Sequence, residues 1–191
     1  MPVFGLIVAG DYDGKALGKL LSKLRPDLDG VIVRLCRDDY RVGTTFRNFL
    51  TGFEFAKAGH PVDKAIVVRD AHQRTAQESI RLLESGFDHS RYSFPVEFAA
   101  VAPELEAWLL ADHGARTELS HERGQRHDYP PLDRSPEALH DPKTKLSTLL
   151  SDAGIGYTAA VAARLAELSD PAIIGGLCPS FALFKRAAEH C

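Results

Sequence analysis

The sequence predicts an α/β fold with a mostly parallel central sheet flanked by helices. Short apolar runs of strand length alternate with segments whose apolar residues recur at helical spacing, the pattern of a chain built from β-α-β units. Acidic residues follow several of these runs directly. With 191 residues, the chain has the size of one domain and can bury a core without disulfides or a structural metal.

Four apolar runs are the predicted strands, because each is short, mostly apolar and bounded by turn residues. They comprise residues 3–9, 30–36, 65–68 and 94–101. Helices are predicted at 15–24 before Pro26, at 46–56 with an end at Gly59, around 80–83 with an end at Gly86, and at 103–112 with Pro103 as the first helical residue.

The chain changes character after residue 112. Residues 113–141 are polar and contain four histidines, whose spacing matches no zinc-ligand pair, and a long loop is predicted there. The tail has helical patterns at 145–150, 159–168 and 180–188. We therefore expect a core at 1–112, a polar excursion at 113–141, and a helical extension at 142–191 that packs on the core.

Composition excludes several classes of protein. The chain has 23 Lys and Arg against 26 Asp and Glu, so it lacks the net positive charge typical of general duplex-binding proteins. Cys36, Cys178 and Cys191 have no CxxC spacing, which argues against a disulfide framework or a cysteine zinc site. No apolar run approaches the roughly 18 residues of a membrane span, and the first is too short for a signal peptide. We expect a cytoplasmic protein without a membrane partner.

Acidic residues follow each predicted strand, at the edge of a parallel sheet where ligands usually bind. They are Asp11, Asp13, Asp38, Asp39, Asp70, Glu104 and Glu106. Converging carboxylates suit a hard cation such as Mg²⁺ or Mn²⁺, which serves phosphoryl transfer or phosphodiester cleavage. The alternative is that these acids stabilise helix N-termini, and for Asp13, Asp38 and Asp39 this alternative is favoured.

Several segments resemble a known family. Residues 7–13, 65–71 and above all 103–112, with its Pro-Glu-Leu-Glu-Ala-Trp block, are similar to the bacterial domain-of-unknown-function 4276 family, as are residues 142–146 and 178–184. That family comprises small stand-alone relatives of the Toprim (topoisomerase–primase) domains, including those of OLD-type nucleases. The similarity spans nearly the whole chain and implies a Toprim-like fold.

The resemblance also implies an activity and a site. It implies a nuclease that cleaves DNA or RNA with Mg²⁺ or Mn²⁺, working with a partner ATPase in phage defence or nucleic-acid maintenance. Asp70, Glu104 and Glu106 would hold the metal, with Asp11 as a further ligand. Glu104 is also a candidate catalytic residue, and Lys143 would stabilise negative charge developing on the phosphate.

Two positions depart from the Toprim pattern. Ala9 stands where the glutamate after the first strand is expected, and His72 stands where many Toprim domains carry a second acid. A methyl group neither binds metal nor moves a proton, so this chain is expected to be catalytically impaired. An engineered inactivating substitution and a natural loss both explain Ala9. A non-catalytic module that binds a partner protein or nucleic acid is therefore the alternative function.

Two other patterns bear on function. Asp11 and Asp13 have the spacing of the acids in haloacid-dehalogenase phosphatases, but Lys15 replaces the usual threonine. Basic residues flank the acidic positions and would hold a nucleic-acid backbone if they share that edge, although a solvated surface is the favoured interpretation. They are Arg34, Arg37, Arg41, Arg69, Arg74, Lys143 and Lys145.

Overall fold

The computed structural model describes residues 1–55 and 62–189 and confirms the α/β class with a parallel central sheet. Four strands form the sheet in the order β2-β1-β3-β4, and all three pairings are parallel. The strands are β1 (Val3–Val8), β2 (Gly30–Leu35), β3 (Lys64–Asp70) and β4 (Val96–Val101). This architecture is consistent with a Toprim-like arrangement.

Helices connect the strands, and in the described ranges the tail consists of helices joined by short loops. Parallel neighbours require such crossovers, because each strand must begin at the same end of the sheet as the one before it. The helices are α1 (Asp11–Leu24), α2 (Asp39–Phe55), α3 (Ala76–Glu84), α4 (Leu105–Ala111), α5 (His113–Glu122), α6 (Pro142–Asp152), α7 (Ala159–Leu168), α8 (Pro171–Leu177) and α9 (Phe181–Glu189).

The two faces of the sheet carry separate apolar cores. Alternate strand residues point to opposite faces, so Leu6 packs with α1 and the tail, whereas Ile7 packs with α2. Trp108 is fully buried in the first cluster, as expected of a core residue. Leu165 and Phe184 of the tail belong to that same cluster, so the tail helices share a core with the sheet.

Three helical features differ from the sequence prediction. Residues 113–122 form α5 rather than loop, because the Asp112 carboxylate caps the helix by accepting a hydrogen bond from Ala115 N and Leu119 is buried. The tail contains an additional helix, α8, which begins at Pro171 after the capping residue Asp170. Pro103 precedes α4 instead of opening it, and its carbonyl accepts a hydrogen bond from His72 N.

Other sequence predictions concern cysteines and segment ends. Cys36 and Cys178 are buried free thiols. The predicted helix end at Gly59 lies outside the described residues, as does Cys191. Among the described helices, none is both long and apolar enough to cross a membrane.

Candidate functional site

Acidic side chains converge where β1 and β3 end side by side in the sheet. Ala9 follows β1, Asp70 ends β3, Asp13 lies in the first turn of α1, and Asp39 is the first residue of α2. These four residues line one small pocket together with Arg69. We call this group, with Glu104 and Glu106 described below, the acidic pocket.

Asp39 ties the end of β3 to the start of α2. One carboxylate oxygen accepts a hydrogen bond from Asp70 N at 2.8 Å, and the other lies 3.0 Å from His72 Nε2. His72 has a φ of 52°, a left-handed conformation that is uncommon outside glycine. Such conformations often occur at functional sites, and here the geometry brings the imidazole to a carboxylate.

The two acids of α4 have partners in the tail. Glu104 Oε1 accepts a hydrogen bond from Lys143 N at 2.8 Å. Glu106 is buried, and its Oε1 accepts one from the Tyr157 hydroxyl at 2.9 Å. The helical extension therefore positions both glutamates at the edge of the sheet.

The acidic pocket concentrates negative charge in a desolvated place. Burial raises the pKa of Asp70 well above its usual range, and the neighbouring carboxylates of the pocket raise it further. Burial likewise raises the pKa of Asp13 to about 6, partly offset by the hydrogen bond from Gly10 N. The pKa of Glu106 is raised by burial and then by Glu104. A cation in the pocket would relieve this repulsion.

Positive and aromatic groups border the acids. Lys143 is exposed, and its Nζ lies 5.5 Å from the centre of the Tyr12 ring. The Tyr12 and Tyr157 rings are in contact, with centroids 5.2 Å apart. The charge of Lys143 lowers the pKa of both Asp13 and Glu106, so its ammonium group acts on the pocket as well as on Tyr12.

Arg69 lies in the acidic pocket with an unsatisfied donor. Its Nε is buried and has no hydrogen-bond partner among residues 1–55 and 62–189. Its guanidinium reaches under α2, where a Cβ on Gly43 would lie only 3.2 Å from Nη1. Since a buried unpaired donor is costly, Arg69 is well placed to donate to an anionic ligand.

Asp11 does not join the acidic pocket. Its carboxylate forms an ion pair with Lys15 at 2.9 Å, and more than half of each side chain is exposed. It lines a different groove, between α1 and α7. A haloacid-dehalogenase mechanism would need Asp11 and Asp13 in one site, which this arrangement does not provide. Asp38 is a helix cap, because it accepts a hydrogen bond from Arg41 N.

The donor set of the acidic pocket fits a hard cation, because carboxylate oxygens are the preferred ligands of Mg²⁺ and Mn²⁺. Over residues 1–55 and 62–189, no three Asp, Glu, His or Cys side chains are already grouped closely enough to hold a metal.

Two histidines of the polar excursion at 113–141 contact other side chains of that segment. His121 lies against Asp128, and His127 packs on the Tyr129 ring.

The structure adds four residues to the site expected from the sequence. Asp13 and Asp39 have the positions of helix-capping acids, and only the direction of each side chain reveals the second role. Tyr12 and Tyr157 lie 145 residues apart and carry no local signal. Asp70 has Glu104 and Glu106 among its charged neighbours, and Lys143 N donates a hydrogen bond to Glu104. The metal-binding and catalytic roles of these residues stay predictions.

Comparisons with known proteins give one distant similarity. No family model matches the chain, and no curated protein matches it. Among solved structures, it is similar to the C-terminal region of the Xanthomonas campestris pv. campestris OLD protein. The identity is 18%, the TM-score is 0.43, and the alignment covers 97% of this chain and 91% of that chain.

Proposed function

We propose that the protein is a Toprim-like, metal-dependent nuclease whose acidic pocket binds Mg²⁺ or Mn²⁺. The observation that carries the proposal is the set of five carboxylates, three of them with raised pKa values, at the carboxyl edge of a parallel sheet. Such crowding costs stability, and arrangements of this kind cluster at functional sites. A divalent cation is the ligand that would relieve the repulsion.

Asp70, Glu104 and Glu106 would hold the metal, with Asp13 and Asp39 completing the set. A bound Mg²⁺ or Mn²⁺ supplies charge neutralisation at phosphate and an acidified water. Lys143 is exposed beside the carboxylates and would donate to a non-bridging phosphate oxygen as negative charge develops. Arg69 would add a second donor, because its buried Nε has no partner in the part of the chain that the structure describes.

Ala9 explains why this chain would cleave poorly. Its methyl group lines the pocket with Asp13, Asp39 and Asp70, so a glutamate at this position would add a carboxylate to the same site. In its absence the pocket lacks one anionic ligand and a candidate proton acceptor. The same observation favours the second candidate function, a non-catalytic module that binds nucleic acid or a partner protein through this edge.

The experiment compares the Ala9 chain with Ala9→Glu on labelled DNA and RNA, single-stranded and duplex, with Mg²⁺ and with Mn²⁺. We expect Ala9→Glu to cleave about 100-fold faster or more, the size of a general acid–base contribution. Adding Asp70→Asn should abolish that gain. Adding Asp133→Asn should not, because the Asp133 side chain is 86% exposed and pairs only with its neighbour Arg134.

The assay is repeated with any ATPase encoded beside the gene, because the family resemblance implies such a partner. If Ala9→Glu cleaves nothing under any of these conditions, the nuclease proposal is wrong. Retention of nucleic-acid or partner binding in that case would support the non-catalytic module.

A further inference from the structure

An exposed aromatic side chain lies beside the acidic pocket. Tyr40 follows Asp39 in the first turn of α2 and is 77% exposed. At 3.6 residues per turn, it lies on the helix surface between Asp39, which contacts Asp70, and Arg41. A large aromatic ring so exposed, one residue from a pocket carboxylate, is available to stack on a flat ligand.

A separate cavity lies where the residues that follow β2 meet α2. It has a volume of about 220 Å³ and is lined by Arg37, Arg41, Thr45 and Asn48, with Phe49 and Cys36 at its apolar end. Positions 41, 45 and 48 recur at helical spacing and therefore share one face of α2. Two guanidinium groups with hydroxyl and amide side chains make this cavity suitable for a phosphate or a nucleotide.

Arg37 is held at this cavity by its backbone. It has a φ of 81° two residues after the end of β2, which is strained for a residue with a side chain. Arg41 shares its charge with Asp38, whose carboxylate lies 3.5 Å away. Arg37 is therefore the stronger candidate for binding an anion.

We infer that this surface binds single-stranded nucleic acid, with a nucleobase stacked on Tyr40 and a backbone phosphate bound by Arg37 and Arg41 in the cavity. The faces of duplex bases are hidden in the stack, so a surface aromatic side chain can stack only on an unpaired base. The inference rests on the proposed nuclease function and specifies its substrate: the strand would extend from the acidic pocket across Tyr40 to the arginines.

The chain contains a matched control for each group. Phe55 lies at the other end of α2 and is 79% exposed, so Phe55→Ala removes an equally exposed ring away from the pocket. Arg126 is exposed and has a φ of 50°, so Arg126→Gly matches Arg37→Gly in residue type and backbone. Both glycine variants relieve a left-handed conformation, which protects them against a failure to fold.

Binding is measured by fluorescence anisotropy in EDTA, where cleavage cannot occur, with labelled oligothymidine and oligouridine of about 12 nucleotides and a duplex of equal length. We expect Tyr40→Ala to weaken single-strand binding at least fivefold, the low end of base-stacking effects. Tyr40→Phe should retain it, because the ring remains. Arg37→Gly should weaken binding and reduce the slope of log affinity against log salt by about 0.7.

Three results would overturn the inference: equal effects of Tyr40→Ala and Phe55→Ala, equal effects of the two glycine variants, or tighter binding of the duplex. Either oligonucleotide satisfies the inference, and their relative affinities show whether DNA or RNA is preferred. Failure of the nuclease proposal would be seen separately, as absent cleavage by Ala9→Glu despite single-strand binding that depends on Tyr40.

Discussion

Two acidic residues, Asp112 and Asp70, have opposite surroundings in this protein. Asp112 is buried, and its two oxygens accept hydrogen bonds from Ala115 N and Asp170 N. Asp70, in the acidic pocket, has four other carboxylates as charged neighbours. Backbone hydrogen bonds satisfy the Asp112 carboxylate, whereas the fold holds the Asp70 carboxylate close to others that repel it. The difference indicates which carboxylates maintain the structure and which are available to a ligand.

The largest expected change in the free energy of unfolding comes from replacing Asp112. Asp112→Ala removes the cap of α5 and leaves Asp170 N without its acceptor, so we expect a loss of about 2–4 kcal/mol in the free energy of unfolding. Urea denaturation measures it. Asp141→Ala is the control, because Asp141 caps α6 through Thr144 N at an exposed position and should cost only about 1 kcal/mol. Equal losses in the two variants would contradict the special role of Asp112.

Tyr157→Phe tests the hydrogen bond that a tyrosine hydroxyl donates to an acid of the pocket. It removes the hydroxyl that donates to the buried Glu106 carboxylate, so we expect a loss of about 1–2 kcal/mol. Tyr12→Phe is the matched control, since the Tyr12 hydroxyl makes only a 3.5 Å contact with Tyr157 O. A loss from Tyr12→Phe as large as that from Tyr157→Phe would show that the Glu106 hydrogen bond contributes little.

Asp70→Asn should change the free energy of unfolding by a smaller amount and in the opposite direction, as a stabilisation. The amide keeps the size of the side chain and removes its repulsion with Asp13, Asp39, Glu104 and Glu106, so we expect a gain of about 1 kcal/mol without metal. Thermal unfolding in EDTA measures it, with the exposed Asp133→Asn as the neutral control. Destabilisation by Asp70→Asn would show that Asp70 is a structural acid like Asp112.

The sequence predicts the sheet well, because buried parallel strands are nearly continuous apolar runs with clear ends. All four predicted strands are present. Ala9 follows β1, Asp70 ends β3, and Glu104 and Glu106 come after β4. The α5 and α8 helices are harder to predict. Polar residues weaken the apolar period of α5, and Gly175 and Gly176 resemble a break although they lie inside α8.

The site is only partly predictable for a different reason. Strand-end convergence brings Asp70 and the α4 glutamates together, as the fold class requires. Asp11 and Asp13, however, are two residues apart at the start of α1, and only one of them points into the acidic pocket. Which one does so depends on the rotation of α1 against the sheet, which is set by the packing of Leu17 and Leu20 in the core. The rotation of α1 cannot be predicted from composition and residue spacing.

The central claim is that the acidic pocket binds a divalent cation and that position 9 belongs to it. Calorimetric titration of Mg²⁺ and Mn²⁺ into the Ala9 chain, Ala9→Glu and Asp70→Asn tests it most directly. We predict weak Mg²⁺ binding by the Ala9 chain, tighter Mn²⁺ binding, and about a tenfold gain in Mg²⁺ affinity for Ala9→Glu from the added carboxylate. Asp70→Asn should lose binding of both metals. Equal Mg²⁺ affinity of the Ala9 chain and Ala9→Glu, or unchanged affinity in Asp70→Asn, would contradict the claim.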